Sequence, residues 1–161
     1  MLKKVAVALT LVAAFASAQA QSNNAFYAGA DIGNTKVDGL DSADKLSYGI
    51  FGGYKFNDNV AAELNVRHLA KWNSVNVSQT GLSVLGIVPV SKEFSVYGRL
   101  GYNNLSASAS SGNTTVTAST SGALYGVGVN FQVNKEVGIR AEYQRPASDT
   151  KNFSVGVHYS F

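Results

Sequence analysis

From residue 25 to residue 161 the sequence repeats one pattern. Apolar residues alternate with polar or small ones at a period of two, and turn-forming residues interrupt the alternation. Residues 25–37 set Phe26, Ala28, Ala30 and Ile32 against Tyr27, Gly29, Asp31 and Gly33. Residues 45–56 set Tyr48, Ile50, Gly52, Tyr54 and Phe56 against Ser47, Gly49, Phe51, Gly53 and Lys55. Residues 60–70 set Ala62, Leu64 and Val66 against Glu63, Asn65 and Arg67. Residues 94–104, 123–133, 136–144 and 152–161 repeat the alternation with Phe94, Val96, Leu100 and Tyr102, then Tyr125, Val127, Val129 and Phe131. Val137, Ile139, Ala141 and Tyr143 follow, then Phe153, Val155, Val157, Tyr159 and Phe161. A further strand fits residues 77–90, but Leu82-Ser83-Val84-Leu85-Gly86-Ile87 leaves its facing ambiguous.

The pattern predicts eight strands and an all-β chain. The connections alternate in kind. Residues 57–59, 90–93 and 134–135 read as tight polar turns, whereas 38–44, 72–76, 106–118 and 146–151 read as mostly longer loops. The Ser-, Thr- and Ala-rich stretch 106–118 is expected to form a mobile loop tip. Short turns at one end and longer loops at the other are the habit of membrane barrels, whose strands take roughly 10 residues each to cross. An even strand count puts both ends of the chain on one side. The expected architecture is an eight-stranded antiparallel up-and-down transmembrane β-barrel spanning 21–161.

The first residues read as an address. Lys3 and Lys4 precede a short apolar run over 5–16, and Ala18-Gln19-Ala20 supplies a small-x-small cleavage pattern. Residues 1–20 are therefore expected to be a secretory signal peptide rather than a membrane anchor, which needs about 20 apolar residues. Lipid offers no partners to open sheet edges, so strands in a membrane must close into a barrel. The chain has no cysteine, which excludes disulfides and thiolate metal sites. Its net charge of +3 includes Lys3 and Lys4, so the remainder is nearly balanced and gives no argument for nucleic acid.

Alternation alone does not distinguish a membrane barrel from a soluble one whose apolar face points inward. The aromatic positions do. With the amino end assigned to the periplasm, Phe26, Tyr54, Phe56, Phe94, Phe131, Tyr159 and Phe161 fall at the periplasmic ends of the apolar face. Tyr48, Tyr102, Tyr125, Tyr143 and Phe153 fall nearer the other end. Two aromatic bands around an aliphatic zone are the girdles of a lipid–water boundary. The opposite face carries Asp31, Lys55, Glu63, Arg67, Arg99, Arg140 and Glu142, which are expected to form a polar network plugging a narrow lumen.

Several motifs resemble the OmpA transmembrane domain. Phe51-Gly52-Gly53-Tyr54-Lys55-Phe56-Asn57 with Val60-Ala61-Ala62-Glu63-Leu64 is similar to that family's second hairpin. Val96-Tyr97-Gly98-Arg99-Leu100-Gly101 is similar to its fifth strand. Gly126-Val127-Gly128-Val129 and Ile139-Arg140-Ala141-Glu142-Tyr143-Gln144 are similar to its sixth and seventh. The resemblance implies a lumen pair between Glu63 and Arg140. The family's second lumen pair would fall near Val84 and on Asn130, which are uncharged, so that pair is expected to be absent. The family's peptidoglycan-binding domain is not expected, because the sequence stops at Phe161. Ser154, Gly156, Tyr159 and Phe161 resemble the terminal signal read by the outer-membrane assembly machinery.

Candidate chemistry is sparse. His158 and Ser160 form an H-x-S pattern, but no acid lies nearby in sequence to orient the histidine, and both are expected in the lumen near the periplasmic end. His68 reads as a solvated rim residue. Two scattered histidines give no metal spacing, and Gly126-x-Gly128 lies in a strand rather than before a helix. No cofactor, metal or catalytic residue is expected. The ranked readings are a structural and surface-interaction barrel, then a narrow low-conductance pore, then a lipid-modifying enzyme. The expected location is the Gram-negative outer membrane, reached by the general secretory route. The expected partners are outer-membrane lipid, lipopolysaccharide and the assembly machinery, with no nucleic acid.

Overall fold

The structure is a computed structural model that describes residues 25–37, 45–72, 75–111 and 114–161. The expected signal peptide and the 38–44 connection lie outside the described residues. Eight strands follow one another: β1 (Phe26–Val37), β2 (Lys45–Asn57), β3 (Val60–Trp72), β4 (Val75–Pro89), β5 (Phe94–Ser111), β6 (Thr114–Gln132), β7 (Val137–Ala147) and β8 (Thr150–Ser160). Each pairs antiparallel with its neighbours in sequence, and β1 pairs with β8 to close the barrel. Closure is completed at the chain's end, where Phe161 N–H donates to Phe26 O (2.9 Å) and Phe26 N–H donates to Phe161 O (3.3 Å).

One end of the barrel carries three short turns, held by side chains that take up free backbone donors. Asn57 Oδ1 accepts from Asn59 N–H, Ser91 Oγ accepts from Phe94 N–H, and Asn134 Oδ1 accepts from both Glu136 and Val137 N–H. Asn and Ser favour turns for this reason. We call this the turn end and the opposite rim the loop end.

The loop end differs from the sequence expectation in three places. Residues 106–118 are largely strand rather than a loop tip, because β5 and β6 stay in register out to Ser111↔Thr114. Serine and threonine on the outward face bond across this extension, Ser106 to Ser119 and Ser108 to Thr117, each at 3.1 Å. Such cross-strand hydroxyl pairs stabilise a ladder whose composition resembles a loop. The connection expected over 72–76 shrinks to 73–74. The one expected over 146–151 becomes a two-residue turn, Ser148-Asp149. The rim is therefore slanted, with 18 and 19 residues in β5 and β6 against 11 each in β7 and β8.

The ambiguous strand is settled as well. On β4, Leu82, Val84 and Val88 point outward, whereas Gln79, Ser83 and Leu85 are buried in the lumen. Leu85 joins Tyr27, Phe51, Ala61 and Tyr97 in a hydrophobic cluster of buried residues toward the turn end. The apolar residues that usually fill a core instead cover the outside, from Ile32 on β1 to Val157 on β8. That inversion suits an apolar solvent outside and a polar interior. No described helix is long and apolar enough to cross a membrane, which has no bearing on strands.

Candidate functional site

The lumen gathers acids and arginines from several strands. Glu63 on β3 sits at its centre, 1% exposed. Its carboxylate takes Arg99 Nη2–H at 2.6 Å, Arg140 Nη1–H at 2.7 Å and the Tyr27 hydroxyl at 3.0 Å. Arg99 reaches onward to Glu142, donating from Nη2 at 2.9 Å, and the Tyr97 hydroxyl donates to the same carboxylate at 2.6 Å. Arg140 lies over Phe51, its guanidinium carbon 3.3 Å from the ring centroid. Toward the loop end, Arg67 pairs with Asp31 at 2.6 Å and also donates to Asn152 and Ser154. Asn152 in turn donates to Thr35 and Ser47 on the far side of the seam. A 3.7 Å approach of Arg140 to Asp31 links the two halves.

Three acids thus face three arginines, and all six are buried. Alternation brings them inward, because Asp31, Glu63, Arg67, Arg99, Arg140 and Glu142 share the inward phase of their strands. Register then sets their heights: Glu142 lies opposite Gly128, and Asp31 lies between Gly49 and Gly156. Glycines provide the room. A Cβ on Gly128 would fall within 2.7 Å of the Tyr97 ring, and one on Gly53 would strike the Tyr27 ring. Both phenols can therefore lie across the lumen and reach their carboxylates.

Lys55 does not join this network. It lies two residues nearer the turn end than Gly53, the partner of Tyr27, and its ammonium stands 5.7 Å from the Tyr27 ring centroid. The phenol separates it from Glu63. The Glu63–Arg140 pair implied by the OmpA resemblance is present at bonding distance. Beside it stands a second pair, Arg99–Glu142, from positions other than Val84 and Asn130. Sequence reasoning did not single out Tyr27, Phe51, Tyr97 or Asn152. The available signal was an aromatic or amide in phase with the charged face.

Below the network, at the turn end, a cavity of about 410 Å³ opens between Lys55, Ile87, Tyr97, Asn130, Gln132 and His158, with Arg140 and Tyr27 among its lining. Above the network, the amides of Asn65 and Gln79 are buried without hydrogen-bond partners, and Leu69 and Leu124 fill the lumen.

His158 and Ser160 both point into the lumen. The His158 ring meets Tyr27 edge-on at 5.8 Å, and Ser160 Oγ makes no hydrogen bond. A nucleophile without its base has no means of activation. His68 is half-buried and faces outward toward the loop end, with its ring 5.1 Å from that of Tyr48. Among the described residues no three His, Cys, Asp or Glu side chains gather to hold a metal.

On the outer wall, Phe26, Tyr54 and Phe56 stack edge-on at the turn end, at 4.7 and 5.2 Å, and Tyr159 lies against Phe161. Phe131 is exposed at the same end beside its partner Phe94. Tyr48, Tyr102, Tyr125, Tyr143 and Phe153 stand exposed nearer the loop end.

The family model for the outer membrane protein beta-barrel domain matches residues 6–161. The chain belongs to this family of outer-membrane β-barrels. Membership places it in the Gram-negative outer membrane. Solved structures of such barrels superpose on it. Neisserial surface protein A is 21% identical, with 85% of this chain and 97% of that one covered at a TM-score of 0.71. The N-terminal β-barrel domain of Pseudomonas aeruginosa OprF is 15% identical, covering 88% and 100% at 0.65. Ail, the attachment invasion locus protein of Yersinia pestis, is 20% identical, covering 84% and 96% at 0.59. At such identities the likeness shows the fold alone. No match is found among curated proteins.

Proposed function

We propose that this outer-membrane barrel is a non-enzymatic structural element of the envelope, with a plugged lumen and a loop end that faces outward for surface contacts. The carrying observation is the closed layer formed by Glu63, Arg99, Arg140 and Glu142 with Tyr27 and Tyr97, whose members are buried and mutually bonded. Eight strands leave an interior that side chains can fill, and here they fill it with charge held by charge. The slanted rim supports the surface role, since the β5–β6 hairpin extends well past the band of outward aromatics. Two of the similar barrels are named for their surface or attachment character, Neisserial surface protein A and the attachment invasion locus protein Ail. Export by the general secretory route, assembly through the terminal signal Ser154, Gly156, Tyr159 and Phe161, and lipid and lipopolysaccharide as neighbours belong to the same reading.

Planar-bilayer recording tests it. The refolded barrel is expected to give no resolvable conductance steps, and steady steps would overturn the plug. A narrow pore is the second reading. Its support is the turn-end cavity reaching Arg140 and the unpartnered amides of Asn65 and Gln79 above the plug, because buried amides seek water. An enzymatic role predicts that His158→Ala with Ser160→Ala changes the lipid A profile in mass spectrometry; an unchanged profile is expected.

A further inference from the structure

Most strand-interior glycines serve close approach, but Gly86, Gly98 and Gly122 have open space where a side chain would stand, and the first two of these face outward. Gly86 on β4 and Gly98 on β5 are direct cross-strand partners on the outward face, and a Cβ added to either meets nothing within 4 Å. Neither permits a contact that folding needs. A strand glycine costs stability and commonly marks a place where a ligand comes close to the backbone. Together they floor an open trough of about 720 Å³, walled by Leu100, Tyr125, Val127 and Tyr143. A second depression shares Gly86, Gly98, Val127 and Tyr143 and continues it along β6 and β7 past Val129 and Ala141. From Tyr125 to Val129 the trough runs about 14 Å along the strand. Its lining is almost wholly apolar.

The head of the trough is cationic. Arg145 lines it on β7, one outward position beyond Tyr143 and opposite Tyr125. The guanidinium is held by a bond from Nη2 to Ser148 O and by the Tyr125 ring, 5.9 Å from its carbon. Its Nε is sealed from solvent and has no acceptor. On β8 and β1, the next two strands round the barrel, Lys151 and Lys36 are direct cross-strand partners on the outward face near the same rim, Lys151 lying just past the pairing of Asn152 with Gln144. The cations thus lie at one level, just past the aromatics Tyr143 and Phe153.

We infer that this wall is a binding site for a phosphorylated glycolipid of the outer leaflet, with an acyl chain in the Gly86–Gly98 trough and a phosphate on Arg145. The inference rests on the proposed assignment of the loop end to the cell exterior. An arginine fork is suited to phosphate. A run of cations at one level suits a headgroup bearing more than one. A second copy of the chain is a poorer occupant. Two copies inserted in the same direction would bring their Arg145 side chains together at the same height, and like charges would oppose the contact.

The test uses the full refolded barrel, exchanged into detergent with bisphosphorylated lipid A or with phosphatidylglycerol, and native mass spectrometry to count retained lipid. Wild type is expected to retain lipid A in preference to phosphatidylglycerol. Arg145→Gln removes the charge, and Gly98→Leu fills the trough at a position open to a side chain. Each is expected to lower lipid A retention by roughly tenfold or more, the scale of one lost charged hydrogen bond. Gly86→Leu repeats the trough test from the paired strand. Every variant is checked for a closed barrel by its heat-dependent shift on SDS gels. Retention at the wild-type level in Arg145→Gln or in both leucine variants overturns the inference. So does a preference for phosphatidylglycerol, or dimers in place of lipid adducts. Conductance separates the two proposals. A conducting barrel that retains lipid A overturns the plug alone, and a silent barrel that retains none overturns the lipid site alone.

Discussion

Replacing Glu63 by glutamine changes one oxygen for one nitrogen and keeps the shape of the lumen plug while removing its central charge. The buried network then holds Asp31 and Glu142 against Arg67, Arg99 and Arg140. Arg99 keeps Glu142 at 2.9 Å. With the amide nitrogen in place of Oε2, Arg140 loses its 2.7 Å bond, keeps only the 3.3 Å contact to a now neutral oxygen, and is left with Asp31 at 3.7 Å and Glu142 at 4.0 Å as its anionic neighbours. Removing one partner of a buried pair costs about 3–5 kcal/mol, because the other charge stays desolvated without compensation. The Glu63→Gln barrel is therefore expected to lose about that much stability in urea titrations in lipid vesicles, followed by the fluorescence of Trp72, the one tryptophan. Adding Arg140→Met should recover at least half of the loss, since the uncompensated cation is then gone. A Glu63→Gln barrel within about 1 kcal/mol of wild type would refute this reasoning. It would mean that water, rather than the carboxylate, solvates Arg140, and the plug would have to be read as a wet passage.

Other outcomes follow from the two faces of the wall. A Cβ at Gly101 would lie 2.8 Å from Ser83 Cα and against the Leu82 carbonyl, so Gly101→Ala is expected to abolish the SDS-resistant form, whereas Gly98→Ala should leave it intact. Gel shift of unheated samples distinguishes them. Leu100 is 73% exposed in the middle of the outward apolar band, and Leu100→Arg is expected to cost about 2–4 kcal/mol in the same urea titration. Asn104→Arg, beyond the band on the same strand and face, should cost no more than about 1 kcal/mol.

Much of this was legible in the sequence, because a barrel is built from local rules. Period-two alternation gave the strands, Asn57, Ser91 and Asn134 gave the turns, and phase gave the inward charges. Residues 106–118 misled because Ser, Thr and Ala serve loops as readily as a ladder outside the membrane. Their strand character comes from cross-strand partners such as Ser108 and Thr117, which are neighbours only after pairing. Lys55 shared the right phase, but height along the lumen depends on register, and the phenol of Tyr27 stands in between. Tyr27 and Tyr97 were overlooked because aromatic residues on a polar face read as exceptions, whereas here their hydroxyls complete two carboxylates.

The seam between β1 and β8 has a kinetic consequence. Seven of the eight strand pairings join neighbours in sequence, each closed by a connection of a few residues. The eighth must bring Phe26 to Phe161, across nearly the whole described chain. Loop-closure entropy grows with the logarithm of the enclosed length, so the seam costs about 3 kcal/mol more to nucleate than a tight hairpin. The hairpins can form in sequence as soon as their strands are available, while the seam waits. Until it closes, the growing sheet has two unpaired edges, each able to pair with a second molecule. A catalyst that covers the edge of β8 until β1 arrives would shorten the interval in which aggregation competes with closure.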